Sequence, residues 1–175
     1  IGGTVVFSIG APSAGPGPSA QGSAQPAVTA ALWVFKVVFY VGLFAGAGGS
    51  FFLAWLAGGG RSGGRTASLL AGLVATPVLV GLQGTDALEL PLSGLADRTA
   101  WATGFGTSFG ATAIAAACAL LAGLAALQTR GARALSLFAV GATGLALALS
   151  GHASSAAPQW LARPAVLVHA VSVAI

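Results

Sequence analysis

The chain has 175 residues, of which 56% are hydrophobic and only 6% charged, and its formal net charge is +4. A soluble domain carries roughly a quarter charged residues, so this composition excludes an ordinary water-exposed surface. The basic side chains are scattered through short loops, with no basic run and no patch of interleaved aromatics, which excludes a nucleic-acid partner.

The charged residues cluster and leave long uncharged stretches: Val37 to Gly60, Thr66 to Thr85, Thr99 to Thr129 and Ala134 to Ala162. Each is near or above the roughly 20 residues needed to cross a hydrocarbon core of about 30 Å. Because such segments recur along the whole chain, they are not a secretory signal. The fold expected is all-α, a polytopic transmembrane helix bundle of four full helices and the start of a fifth, with the lipid bilayer as its solvent.

In chain order, Gly3 to Ile9 alternate Val5, Phe7 and Ile9 with Thr4 and Ser8, a β-strand pattern. A lone strand has no ladder partner, so residues 1–9 are expected to be the remnant of a truncated β domain. Residues 10–27 are rich in Pro, Gly, Ser, Ala and Gln and are expected to form a flexible linker with a reach on the order of 23 Å. The membrane domain then occupies residues 28–175.

Its first helix is expected over about Ala30 to Ala57, with Lys36 near the start and Trp33, Tyr40 and Trp55 as interfacial anchors. The second, about Ala67 to Gln83, contains Pro77, whose freed carbonyl must be satisfied by neighbours or water. Gly84 to Arg98 is too polar for hydrocarbon. The third helix is expected over about Trp101 to Leu127 and the fourth over about Ala134 to Gly151. Pro164 suits the first turn of a fifth, which reaches the last residue, Ile175, after about eleven residues and is expected to be cut short.

Loop arginines set orientation. Arg61 and Arg65 follow the first helix, and Arg130 and Arg133 follow the third, so these two loops are expected to face the cytoplasm. The N-terminus is then outside.

His152, at the outer end of the fourth helix, and His169, in the fifth, are the only imidazoles. At 100° per residue, Gly141, Gly144, Ala148 and His152 form one small-residue stripe of the kind that packs against neighbouring helices. Ala165, His169 and Ser172 likewise share a face. A histidine near a helix end is often only an interfacial group. Two inward-facing histidines on one side of a membrane instead suggest a metal site, since intramembrane ionisable residues are rare and usually functional. Imidazole suits copper, zinc, iron and nickel.

On the second helix, Gly72, Thr76 and Gln83 form an inward stripe. Asp86 follows one turn later and is either a further ligand, a group that orients a histidine, or a solvated boundary residue. The Gly-x-x-x-Gly spacings Gly42/Gly46 and Gly106/Gly110 are expected to serve packing. Cys118 is expected to be a small buried apolar residue; as the single cysteine it supports neither a disulfide framework nor a paired-thiol metal site. Methionine is absent, which removes thioether ligands. There is no Ser/His/Asp set, no paired catalytic carboxylate and no phosphate loop, so the chain is not expected to be an enzyme.

The segment LALALSGHASSAAPQWLARPAVLVHAVSVAI (Leu145 to Ile175), with Ser-Gly-His-Ala at Ser150 to Ala153, Pro-x-Trp-Leu at Pro158 to Leu161 and His169 early in a helix, resembles the copper-resistance CopD family of bacterial inner-membrane proteins. GLQGTDAL (Gly81 to Leu88) and WATGFGTSFG (Trp101 to Gly110) are also similar to that family, above all to its CopC–CopD fusions. The opening GGTVVFSIG is similar to the last strand of a CopC-like periplasmic copper-binding β-sandwich. The resemblance implies copper transport and copper resistance at the inner membrane, with a fused periplasmic CopC-like domain as partner. By that analogy His152 and His169 become copper ligands, with Asp86 and Gln83 as lesser ones. Two other readings remain open: a membrane electron carrier holding haem between His152 and His169, and a mere membrane anchor for the copper-binding domain.

Overall fold

The computed structural model describes residues 25–58, 63–129, 132–150 and 157–175, and these are helical, with no strand among them. The strand expected at residues 1–9 and most of the linker expected at 10–27 lie outside the described residues.

The first span begins at Pro26, four residues before the expected start. Proline lacks an N–H and has φ fixed near the helical value, so it is well placed in the first turn, where the N–H has no helical partner in any case. Helix α1 (Pro26–Val41) runs directly into a π-helical turn, Gly42–Gly48, and then into α2 (Gly49–Trp55). Helix α3 (Gly63–Ala87) extends beyond its expected limits at both ends and carries Pro77 internally. A 3-10 turn (Leu92–Ala96) leads to α4 (Arg98–Gly106), α5 (Ser108–Ala126) and α6 (Ala132–Leu149). Helix α7 spans Gln159–Ala174. Four spans are long and apolar enough to cross a membrane: Pro26–Trp55, Gly63–Ala87, Ser108–Ala126 and Ala132–Leu149.

Two expected elements differ from what forms. The third helix is not continuous, because Thr107 is extended (φ −77°, ψ 167°) and separates α4 from α5. Gly104 and Gly106 weaken the helix there, and Thr107 Oγ1 donates to the Gly104 carbonyl at 2.7 Å, giving the backbone a non-helical alternative. A side chain at Gly110 would strike the Phe105 carbonyl oxygen, so glycine is needed for the chain to double back so closely. The fifth helix begins at Gln159 rather than at Pro164, and Pro164 lies inside it.

Helices pack through small residues, as expected where lipid supplies no hydrophobic drive between them. Gly42 and Gly72 bring α1 and α3 together so closely that a Cβ on Gly42 would sit 2.6 Å from the Gly72 Cα. Gly46 packs on Leu69, and Gly72 and Gly123 pack on Leu120 and Leu69, so α3 runs antiparallel to both α1 and α5. Helices α3 and α5 are the centre of the bundle: half of each spanning window is buried, against 28% for the first span. The core around them holds Phe39, Leu43, Leu69, Leu79 and Leu120, with Ala116, Ala119, Ala139 and Ala146 allowing close approach.

Of the two glycine pairs, only Gly42/Gly46 joins helices. Gly106 meets nothing within 4 Å, and the chain breaks between it and Gly110. Cys118 is exposed on α5 rather than buried.

The arginine loops close the same end of the bundle. Arg133 Nε donates to the Ala54 carbonyl at 3.4 Å, and its guanidinium lies 5.3 Å from the Trp55 ring. Arg65 lies 5.9 Å from the Phe52 ring. The opposite end is capped by the 3-10 turn and α4. Trp101 Nε1 donates to the Leu95 carbonyl at 2.8 Å, and both residues pack over Gly81 of α3. Gly84 and Gly104 let α3 and α4 meet backbone to backbone. Asp97 caps α4: the Thr99 amide donates to Oδ1 at 2.8 Å and holds the exposed carboxyl below its ordinary pKa.

Candidate functional site

The break between α4 and α5 opens a cavity of about 270 Å³ at the end of the bundle away from the arginine loops. Helix α1 contributes Lys36, Phe39 and Tyr40, and α3 contributes Gln83. Thr107, Ser108, Phe109 and Thr112 come from the break and the first turn of α5; Leu147 and Ser150 come from the end of α6.

Local structure explains how these side chains converge. Lys36 is the one charge in the first span, and it is half-buried, with Nζ 5.8 Å from the ring of Trp33 one turn back. Its apolar stem therefore runs along the span while the ammonium reaches toward the end of the bundle. Phe39 is buried and packs on Phe109, with ring centroids 5.8 Å apart and planes at 57°. Thr112 Oγ1 donates to the Ser108 carbonyl at 3.4 Å. Since Thr107 is extended, α5 starts afresh after it, and the Gly110 amide donates to the Thr107 carbonyl at 3.0 Å.

Other buried hydroxyls are occupied by their own helices. Thr76, Thr85 and Thr143 each donate to the carbonyl four residues back at 2.8–2.9 Å, and Ser50 donates to the Ala47 carbonyl at 2.6 Å. They are satisfied within the fold and present no free donor to a ligand.

The expected site residues are placed differently from one another. Gln83 lines the cavity, and with Gly72 and Thr76, both buried, it marks the inward stripe of α3. Asp86 lies on the same helix, which continues past Gln83, but its side chain is exposed at the α3 terminus. His152 lies outside the described residues; Ser150, two positions earlier, lines the cavity. Gly144 and Ala148, which share its expected stripe, are buried, whereas Gly141 is exposed.

His169 is exposed, as are Ala165 and Ser172, the residues expected to share an inward face with it. Helix α7 instead presents Leu167 and Val171 to Gly144 of α6 and buries Ala170 and Ala174. With the helix starting at Gln159, His169 stands ten residues along it, about 15 Å from the start rather than about 8 Å. Among the described residues, no three His, Cys, Asp or Glu side chains come together to hold a metal ion.

Sequence reasoning missed Lys36, Thr107, Ser108 and Ser150 as site residues. Two signals pointed to the first three: a lone lysine within an otherwise uncharged span, and the Gly-Phe-Gly-Thr-Ser run at Gly104 to Ser108, a poor helix former amid a helical pattern.

No family model matches the chain, and no characterised protein or solved structure matches it either.

Proposed function

We propose that this chain is the membrane part of a copper-handling protein of the CopD type, which receives copper at the periplasmic face of a bacterial inner membrane and passes it across or into the bilayer. The observation that carries the reading is Ser150, which follows the end of α6 and lines a polar cavity within the bundle; in the sequence it opens Ser-Gly-His-Ala, with His152 two residues later. An imidazole that follows closely in sequence on a cavity-lining residue suits an entry site for a metal ion. Gln83 stands within the cavity as an oxygen donor. Asp86 and His169 are the lesser ligand candidates in this reading, because both are exposed.

The polarity of the loops fits the same orientation. Arg65 and Arg133 fasten to the aromatic end of α2, and the positive-inside rule assigns that end to the cytoplasm. The cavity then opens toward the periplasm, where a CopC-like domain would deliver the ion.

The test is copper accumulation in cells expressing the full chain. His152→Ala is expected to lower accumulation severalfold at equal protein level, with His169→Ala having a smaller effect. Unchanged accumulation in the double variant would leave the helices only an anchoring role.

A further inference from the structure

Among the described residues the cavity's lining is richer in hydrogen-bond donors than in cation ligands, which points to a second ligand. The polar lining includes Lys36, Gln83, Tyr40, Ser108 and Ser150, each of which can donate a hydrogen bond, and Lys36 adds a positive charge. Among the described residues, no carboxylate, imidazole or thiol lines it. Among the described residues Lys36 has no carboxylate partner; Asp86 and Glu89, the acids at the end of α3, are exposed and do not face the cavity. The helix start adds a further positive electrostatic contribution on the same side. A half-buried ammonium surrounded by donors is stabilised by an anion.

Phe39, Phe109 and Leu147 line the cavity together with the polar groups, so it offers both charged and hydrocarbon surface. Its volume of about 270 Å³ is far more than a halide or a few waters require, since a water occupies about 30 Å³. It matches a molecule on the order of ten heavy atoms, at the lower limit of ordinary ligand pockets.

We propose that this cavity binds a small organic carboxylate, its anionic end at Lys36, Gln83 and Ser108 and its hydrocarbon body against Phe39 and Phe109. The site shares this cavity and Gln83 with the copper reading but does not depend on it. A carboxylate there neutralises Lys36 and accepts from the donors around it.

The experiment uses the full chain in lipid nanodiscs, with a chelator present to keep copper out. Thermal unfolding is followed while acetate, propionate, butyrate and benzoate are titrated, each against its neutral amide at matched ionic strength. At least one acid is expected to raise the transition temperature saturably where its amide does not. Lys36→Gln is expected to weaken that acid roughly tenfold or more, the loss of one charge-assisted contact. Gln83→Leu, which retains the charge, is expected to weaken it severalfold and covers the case in which the Lys36 variant does not fold. Overturning results are the absence of a saturable, acid-specific shift in the parent protein, or a half-saturation concentration unchanged by the substitutions.

Discussion

Glu89 has φ 54°, a left-handed backbone conformation normally left to glycine or asparagine. It is held there by the way α3 ends. The Leu90 amide donates to the Thr85 carbonyl at 2.9 Å and the Glu89 amide to the Asp86 carbonyl at 3.1 Å, the paired bonds of a Schellman cap. This cap turns the chain sharply, so the 3-10 turn and α4 fold back over Gly81 and Gly84 and form the roof beside the cavity. A β-carbon in the left-handed region costs about 1 kcal/mol. Glu89→Gly is therefore expected to stabilise the protein by up to about 1 kcal/mol, seen as a higher thermal transition in detergent; a clear loss of stability would mean that the Glu89 side chain contributes more than its backbone costs.

At the scale of elements, the apolar spans were legible because composition alone fixes them, while their ends and breaks were not. Pro26 reads equally well as linker or as first helical turn, and only its continuity with Ala27 and Val28 decides. Pro164 reads as a helix start, yet Pro158 precedes the helix and Gln159 opens it, with the Leu161 and Ala162 amides both donating to the Pro158 carbonyl at 3.1 Å. The 100° periodicity identified Gly72, Thr76 and Gln83 as an inward stripe, since α3 is a central helix with neighbours on several sides. The same arithmetic placed Ala165, His169 and Ser172 inward on α7, where Leu167 and Val171 make the contact instead. Periodicity says which residues share a face and leaves open which face meets the protein.

Glycine spacing shows the same limit. Gly42/Gly46 and Gly106/Gly110 are identical as patterns, but only the first lies between two packed helices. Gly72→Ala is expected to destabilise the bundle by about 1–3 kcal/mol, because its Cβ would come 2.9 Å from the Gly42 Cα and backbone cannot move aside. Gly106→Ala, with open space around it, is expected to be neutral to within about 0.5 kcal/mol. Thermal unfolding of the two variants side by side checks this, and equal losses would contradict the packing described.

At the scale of the whole molecule, charge and polarity are divided between the two ends. Arginines and aromatics close one end and tie the loops to α2. Polar side chains gather at the other, where residues from the break between α4 and α5 line a cavity. The copper reading proposes metal entry at that second end, where Ser150 lines the cavity and the sequence continues to His152.

Metal content and the visible spectrum of the purified full chain test that reading most directly. Bound copper that falls by more than half in His152→Ala, with no Soret band, is the result predicted. A strong Soret band without copper, or no copper above background in the parent protein, would contradict it.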